Sequence, residues 1–156
     1  MTFEIRGLEP AQFQPLFDLA DAELAARGMQ RMRVDAAVGY PCRVSLEDAP
    51  VGAEVLLLPF MHQDSPSPYR ASGPIFVRRG IVEARRIVGE LPAYLTRRLL
   101  SVRAYDDAGM MVAAEVVEGR EAGPLFESLL LRTDVSYLHV HFAKRGCFAC
   151  RVGRAA

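Results

Sequence analysis

From Tyr137 to Val152 apolar side chains recur at every second position on both sides of a short basic turn, and few backbones satisfy that pattern. Leu138, Val140 and Phe142 alternate with Tyr137, His139 and His141; Phe148, Cys150 and Val152 alternate with Cys147, Ala149 and Arg151. A strand sends successive side chains to opposite faces, so each arm reads as a strand with one apolar face. Joined by so short a link, the arms pair as an antiparallel hairpin whose two apolar sets share the buried face. A three-residue loop Lys144-Arg145-Gly146 satisfies that parity, with Gly146 in the left-handed position such loops need. Ala143 then faces Cys147, and Cys147 sits diagonally from His141 on the polar face, at roughly 7 Å. Cys150 goes into the core with Val140 and Phe148.

That register separates the two thiols of Cys147-Phe-Ala-Cys150, so the CxxC spacing does not make them partners. A zinc knuckle usually has glycine after its second cysteine, where this chain has Arg151. A thioredoxin-like pair opens a helix that lowers the thiol pKa, and too few residues follow Cys150 to form one. His139 and His141 fare better, because positions i and i+2 of a strand project to one side and can reach one metal or one substrate. Cupin-type metal barrels place a glutamate soon after such a pair, and here Lys144 and Arg145 follow. A surface-facing histidine pair, a metal site and a metal-free substrate site all remain open.

Elsewhere the chain reads as short strands separated by proline and glycine. Phe3–Leu8 is a strand, and Glu9-Pro10 opens a helix whose Phe13, Leu16, Phe17, Ala20 and Leu24 share a face until Gly28. Met29–Ala36 is a strand, and Cys42, Val44 and Leu46 alternate with Arg43 and Ser45 like a half-buried one, with Cys42 on the core side. Glu54–Phe60 is more apolar. Residues 61–74, with three prolines, break every period and form a long loop of the kind that often carries function. Ile75–Arg79 resumes as a strand, Glu83–Glu90 fits no single period, and Pro92–Leu99 suggests a short helix. Leu100–Tyr105 and Met110–Val117 flank a hairpin turn at Asp106-Asp-Ala-Gly109, Gly123-Pro124 opens a helix, and Val135–Phe142 is the last long strand. The expected fold is α+β: a single domain over 1–156, a mostly antiparallel sheet with hairpins, and two or three packed helices.

With 51% apolar and 24% charged residues the chain has the composition of a soluble globular protein. Its formal charge is zero, so nothing draws it globally to nucleic acid or an anionic membrane. All but one of its 19 basic residues are arginine, the exception being Lys144. The longest apolar run, Val55 to Met61, is interrupted by Pro59 and too short for a bilayer. Three cysteines without framework spacing fit a reduced, cytoplasmic protein. The sequence sets no oligomeric state.

The remaining candidates lie in or near the 61–74 loop. His62 stands at its start, with Asp64 close enough to orient the ring or add a ligand. Tyr69 and Arg70 end it before Ser72-Gly73-Pro74, a setting that suits anion recognition. Lys144, Arg145, Arg151 and Arg154 follow the last acid, Asp134, and form a local basic patch.

"YPCRVSL", "VLLLPFMHQ", "SPYRASGPIFVRR", "RRLLSVRAYDDAGMM" and "YLHVHFAKRGCFACRV" together resemble the bacterial proteins grouped as domain-of-unknown-function family 1203. The resemblance spans essentially the whole chain and implies no assigned activity. Its end pattern, H-x-H, a basic turn, then Gly-Cys-aromatic-Ala-x-Arg, falls on His139, His141, Gly146, Cys147, Phe148, Ala149 and Arg151. It also carries His62-Gln63 and Tyr69-Arg70. Cys150 falls at the x, so the resemblance implies no CxxC role.

Three readings follow, and whether any is enzymatic is open. One polar site on the terminal hairpin, closed by the 61–74 loop, could bind a small molecule or a divalent metal such as Zn²⁺ or Fe²⁺ through His139, His141 and Cys147, with His62, Tyr69, Arg70 and Arg151 as ligand-binding residues. A non-catalytic module could instead bind an anionic small molecule or partner through Arg70, Lys144, Arg145 and Arg151. Thiol chemistry at Cys147 is the third.

Overall fold

The computed structural model describes residues 2–156. Within them run strands β1 (Phe3–Arg6), β2 (Gln30–Arg33), β3 (Pro41–Cys42), β4 (Glu47–Asp48), β5 (Glu54–Gln63) and β6 (Ala71–Arg78). They continue as β7 (Arg86–Val88), β8 (Leu99–Tyr105), β9 (Met111–Glu118), β10 (Tyr137–Phe142) and β11 (Phe148–Arg154). Three short α-helices, α1 (Asp21–Ala26), α2 (Ala93–Thr96) and α3 (Ala122–Leu130), lie between them. The fold is α+β, and the strands form two sheets rather than one: β7-β1-β11-β10-β8-β9 and β2-β5-β6-β3-β4. All pairings are antiparallel except the single β3–β6 contact of Cys42 with Phe76. No helix among the described residues is long and apolar enough to cross a membrane.

Two main cores follow from the two sheets. On the six-stranded sheet Ile5, Leu100, Val102, Leu138, Val140, Cys150 and Val152 project to one side and are capped by Phe126, Leu129 and Leu130 of α3. On the five-stranded sheet Leu56, Leu58, Ile75 and Val77 pack against Phe13, Phe17 and Leu24 from the N-terminal segment. The sheets meet where Phe60 and His62 of β5 lie over the second face of β10 and β11. Every residue of β10 is therefore buried, on both faces.

The sequence expectations hold for element order and fail at four places for physical reasons. The helix expected from Pro10 breaks into 3-10 turns at Pro10–Gln12 and Gln14–Asp18 before α1, because Pro15 offers no N–H to an α ladder. The half-buried strand expected through Leu46 ends at Cys42; residues 43–46 form a turn, with Leu46 at φ 55° and Arg43 buried. Strand β5 runs on through His62 to Gln63 and β6 begins at Ala71, which shortens the long loop to residues 64–70. In Glu83–Glu90, where the sequence set no element and so no expectation fails, Arg86–Val88 pairs with β1 as an edge strand.

The fourth correction concerns the terminal hairpin. Leu138 pairs with Val152 and Val140 with Cys150, as the alternation demands. Then His141 pairs with Phe148, so Ala149 is an extra residue on β11. Phe142 receives the Gly146 N–H at 2.7 Å and donates its own N–H to the Cys147 carbonyl at 2.9 Å. Ala143-Lys144-Arg145 thus form the loop, Gly146 (φ 77°) takes the left-handed bulge position, and Phe142, not Ala143, faces Cys147. One inserted residue reverses side-chain parity. Phe148 consequently leaves the core for the histidine face, and Cys147 leaves the histidine face for the side of Phe142.

Candidate functional site

The three histidines of the chain converge. His139 and His141 share a face of β10 because they are two apart on a regular strand, and His62 reaches them from β5 of the other sheet. Its ring lies 4.9 Å from that of His141 at 78° and 6.3 Å from that of His139 at 69°. Phe148, delivered to this face by the Ala149 bulge, stacks on His62 at 5.6 Å and 16° and meets both other imidazoles edge-on. His139 and His141 are 3% and 1% exposed, which removes the surface-pair reading of the motif.

The hydrogen bonding of these rings is incomplete. His141 Nδ1 lies 2.9 Å from the Gly146 carbonyl oxygen. That oxygen only accepts, so Nδ1 carries the proton and Nε2 keeps a bare lone pair. Nε2 is buried with no partner, and so is His139 Nδ1. Buried polar atoms are nearly always satisfied, so two orphans on adjacent rings mark a place shaped for something else.

Burial is also the main electrostatic influence. It pushes His139 down to about 3, helped by Arg151, and His141 down to about 4, against the hydrogen bond to Gly146. His62, half-buried, is lowered by burial and by Arg103. At neutral pH the cluster is three neutral imidazoles facing cations, able to offer nitrogen lone pairs. Across the sheet Ser101 stands opposite His141, Arg103 opposite His139 and Tyr105 opposite Tyr137. Tyr105 and Tyr137 stack at 5.4 Å, each with its ring 5.1 Å from His139. Gln63 Nε2 donates to the Tyr137 hydroxyl at 3.0 Å, whose O–H reaches Gln63 Oε1 at 3.1 Å, a buried tie between the sheets.

The other candidates scatter around this cluster. Arg151 pairs across the hairpin with His139 and lays its guanidinium 4.1 Å over the Tyr137 ring. Tyr69 touches the cluster's edge, its ring 6.3 Å from Tyr105. Arg70 pairs with Asp64 at 2.5 Å in the exposed loop, so Asp64 orients that arginine rather than His62. Cys147 lies on the opposite face of the hairpin, its Sγ 3.2 Å from Arg43 Nη2, and is no companion of His139 and His141. Cys150 and Cys42 are buried in the two cores as expected, and all three thiols are free. Sequence reasoning missed Phe148, Tyr105 and Tyr137 as walls of the site, and Arg43 altogether. The aromatic content of β8 and β10 was the available signal for the tyrosines.

Gly146 supports the site twice, through its left-handed backbone and through the carbonyl that holds His141. A Cβ there meets nothing within 4 Å, so substitution costs only backbone strain. Gly146→Ala is expected to destabilise by about 1–2 kcal/mol, and Gly146→Asn by less, because asparagine tolerates this conformation. Urea unfolding of the two variants checks the order. Equal penalties would mean the left-handed geometry does not control this turn.

Among curated proteins and among solved structures nothing matches this chain. The family model described as "Protein of unknown function (DUF1203)" does match, over residues 39–154, a span that holds the whole histidine cluster and its hairpin, and the chain belongs to that family.

Proposed function

We propose that the His62–His139–His141 cluster is a small-ligand site, and that a divalent transition metal such as Zn²⁺ or Fe²⁺ is the occupant its donors fit best. The observation that carries this is the fixed tautomer of His141. A backbone carbonyl holds Nδ1–H, as second-shell carbonyls do for metal-bound histidines, and leaves a buried, unpartnered Nε2 lone pair. Neutral imidazole nitrogens suit both metals. Two imidazoles on one tetrahedral ion at about 2.1 Å have centroids roughly 5 Å apart, close to the 4.9 Å between His62 and His141. His139 stands wider, and among the described residues no three His, Cys, Asp or Glu side chains already surround one point. His62 and His141 are therefore the primary donors of this reading, and His139 joins only by turning its ring. When bound, the metal would polarise a ligand or water beside Arg103 and the tyrosines. A metal-free ligand that donates hydrogen bonds to the two orphan nitrogens is the second occupant the same observation allows.

We also place the protein in the bacterial cytoplasm, where its three free thiols stay reduced, with a small molecule rather than nucleic acid or membrane as its partner.

Protein purified without a metal-affinity tag, loaded with Zn²⁺ or Co²⁺ and desalted, is expected to keep close to one equivalent by elemental analysis. His141→Ala is expected to abolish retention, and Cys147→Ala to leave it unchanged. Less than about a tenth of an equivalent of any transition metal after loading would overturn the metal reading.

A further inference from the structure

We propose that a second site, on the far side of the β10–β11 hairpin, binds a small organic anion with an aromatic or similarly flat body. A cavity of about 700 Å³ opens there between the two sheets, within the size range of small-molecule sites. Five cationic side chains line it, Arg43, Arg97, Arg98, Lys144 and Arg145, and no aspartate or glutamate does. Arg97 and Arg98 share the one carboxylate of Asp48 behind the wall. Arg43, Lys144 and Arg145 have no carboxylate partner among the described residues. The cavity therefore carries a large local surplus of positive charge in a protein whose formal charge is zero.

Arg43 makes that surplus unusual. It is 1% exposed, and its guanidinium donates to the Phe148 carbonyl at 2.7 Å, the Pro41 carbonyl at 2.7 Å and the Cys147 sulfur at 3.2 Å. Two carbonyls and a thiol take three of its five N–H hydrogens and supply no counter-charge. A guanidinium buried to this degree is normally paired with an anion. An acidic group entering the cavity would complete the pair.

The rest of the wall sets the class of ligand. Phe142 has the Arg98 guanidinium 4.7 Å and the Arg43 guanidinium 5.2 Å from its ring centre, while Tyr40 and Phe76 pack at 5.2 Å on the other side. Flat apolar surfaces beside fixed cations suit an aryl phosphate or aryl carboxylate, the head on the arginines and the body against the rings. This site shares no side chain with the histidine cluster, so either proposal stands or falls alone.

Cys147 in the cavity wall is a built-in reporter. Its thiolate displaces iodide from iodoacetate or from iodoacetamide, forming a C–S bond as the C–I bond breaks; the first reagent is an anion and the second is neutral. Mass spectrometry of the Cys147 peptide gives the ratio of the two rates. In the folded protein that ratio is expected to exceed the urea-unfolded value by about fivefold or more, as steering by local charge would produce. It is expected to fall back in Lys144→Gln/Arg145→Gln, two exposed turn positions whose loss should leave the fold intact. Phenyl phosphate and benzoate should slow the labelling at millimolar concentration, and inorganic phosphate less, since it lacks the flat body. A folded ratio equal to the unfolded one would overturn the proposal, as would failure of all three anions to protect. If the thiol does not label, calorimetric titration with phenyl phosphate decides, and absence of binding up to about 10 mM overturns the proposal.

Discussion

Between about pH 7.5 and pH 4.5 the metal-free protein is expected to lose about 5 kcal/mol of folding stability, a large part of what a domain this size usually has. The source is the histidine cluster. His139 and His141 titrate near 6.5 in the unfolded chain, and at about 3 and about 4 in the folded one, because burial disfavours the charged ring. Below 6.5 the unfolded chain takes up protons that the folded protein refuses, so stability falls as pH falls, by about 1.4 kcal/mol per unit for each ring. The loss continues until the folded rings themselves protonate. His62, also lowered, adds in the same direction.

The carboxylates act in a different window. Burial raises Glu4, but its ion pairs with Arg86 and Arg6 outweigh that and hold it below its ordinary value. Arg79 and Arg31 lower Glu54 despite burial. Their stabilisation is present above the unfolded value of 4.5 and is lost only below it. The slope between pH 6.5 and 4.5 is therefore a signature of the imidazoles. Urea unfolding in EDTA at pH 7.5, 6.0 and 5.0 measures it, and His139→Gln/His141→Gln should flatten it whatever the variant's own stability. A level profile in the parent protein would mean that these rings are not held neutral by burial.

How much of this could be read in the sequence depends on how local each cause is. The pairing of Leu138–Val140 with Cys150–Val152 follows from alternation and a short turn, both visible within sixteen residues. The Ala149 bulge does not, because Phe148, Ala149 and Cys150 are all acceptable on a buried face and the pattern is silent about which residue is surplus. That silence cost the correct sides of Phe148 and Cys147 together. His62 was placed in the right site but on the wrong element: it arrives on β5 rather than on a closing loop, and the packing of β5 on β10, which joins segments far apart in the chain, leaves no local signal. Tyr137 and the two histidines looked like a solvent face because polar residues usually mark one; here a second sheet covers it. The Pro15 break was legible and was overridden by the helical spacing of the apolar residues around it. Arg43 alternates with apolar neighbours just as an exposed arginine would, and only the turn at residues 43–46 folds it inward.

Replacing Arg43 by alanine is expected to destabilise the protein by about 3–5 kcal/mol. The guanidinium reaches from the turn after β3 to the Phe148 carbonyl and to Cys147, so it ties the two sheets at the root of the hairpin. Truncation leaves the Phe148 and Pro41 carbonyls without these donors and opens a void where a side chain only 1% exposed had stood. Arg43→Met fills most of that volume and removes a buried charge that lacks a carboxylate partner. It forfeits the same hydrogen bonds but is relieved of the cost of burying the cation, so it should cost less than half as much. The two variants separate structural from ligand-linked reasons for the arginine. If methionine restores stability in urea while phenyl phosphate no longer protects Cys147 from labelling, the charge is there for an anion. If methionine is as damaging as alanine, the guanidinium's hydrogen bonds hold the sheets together and its charge is incidental to them.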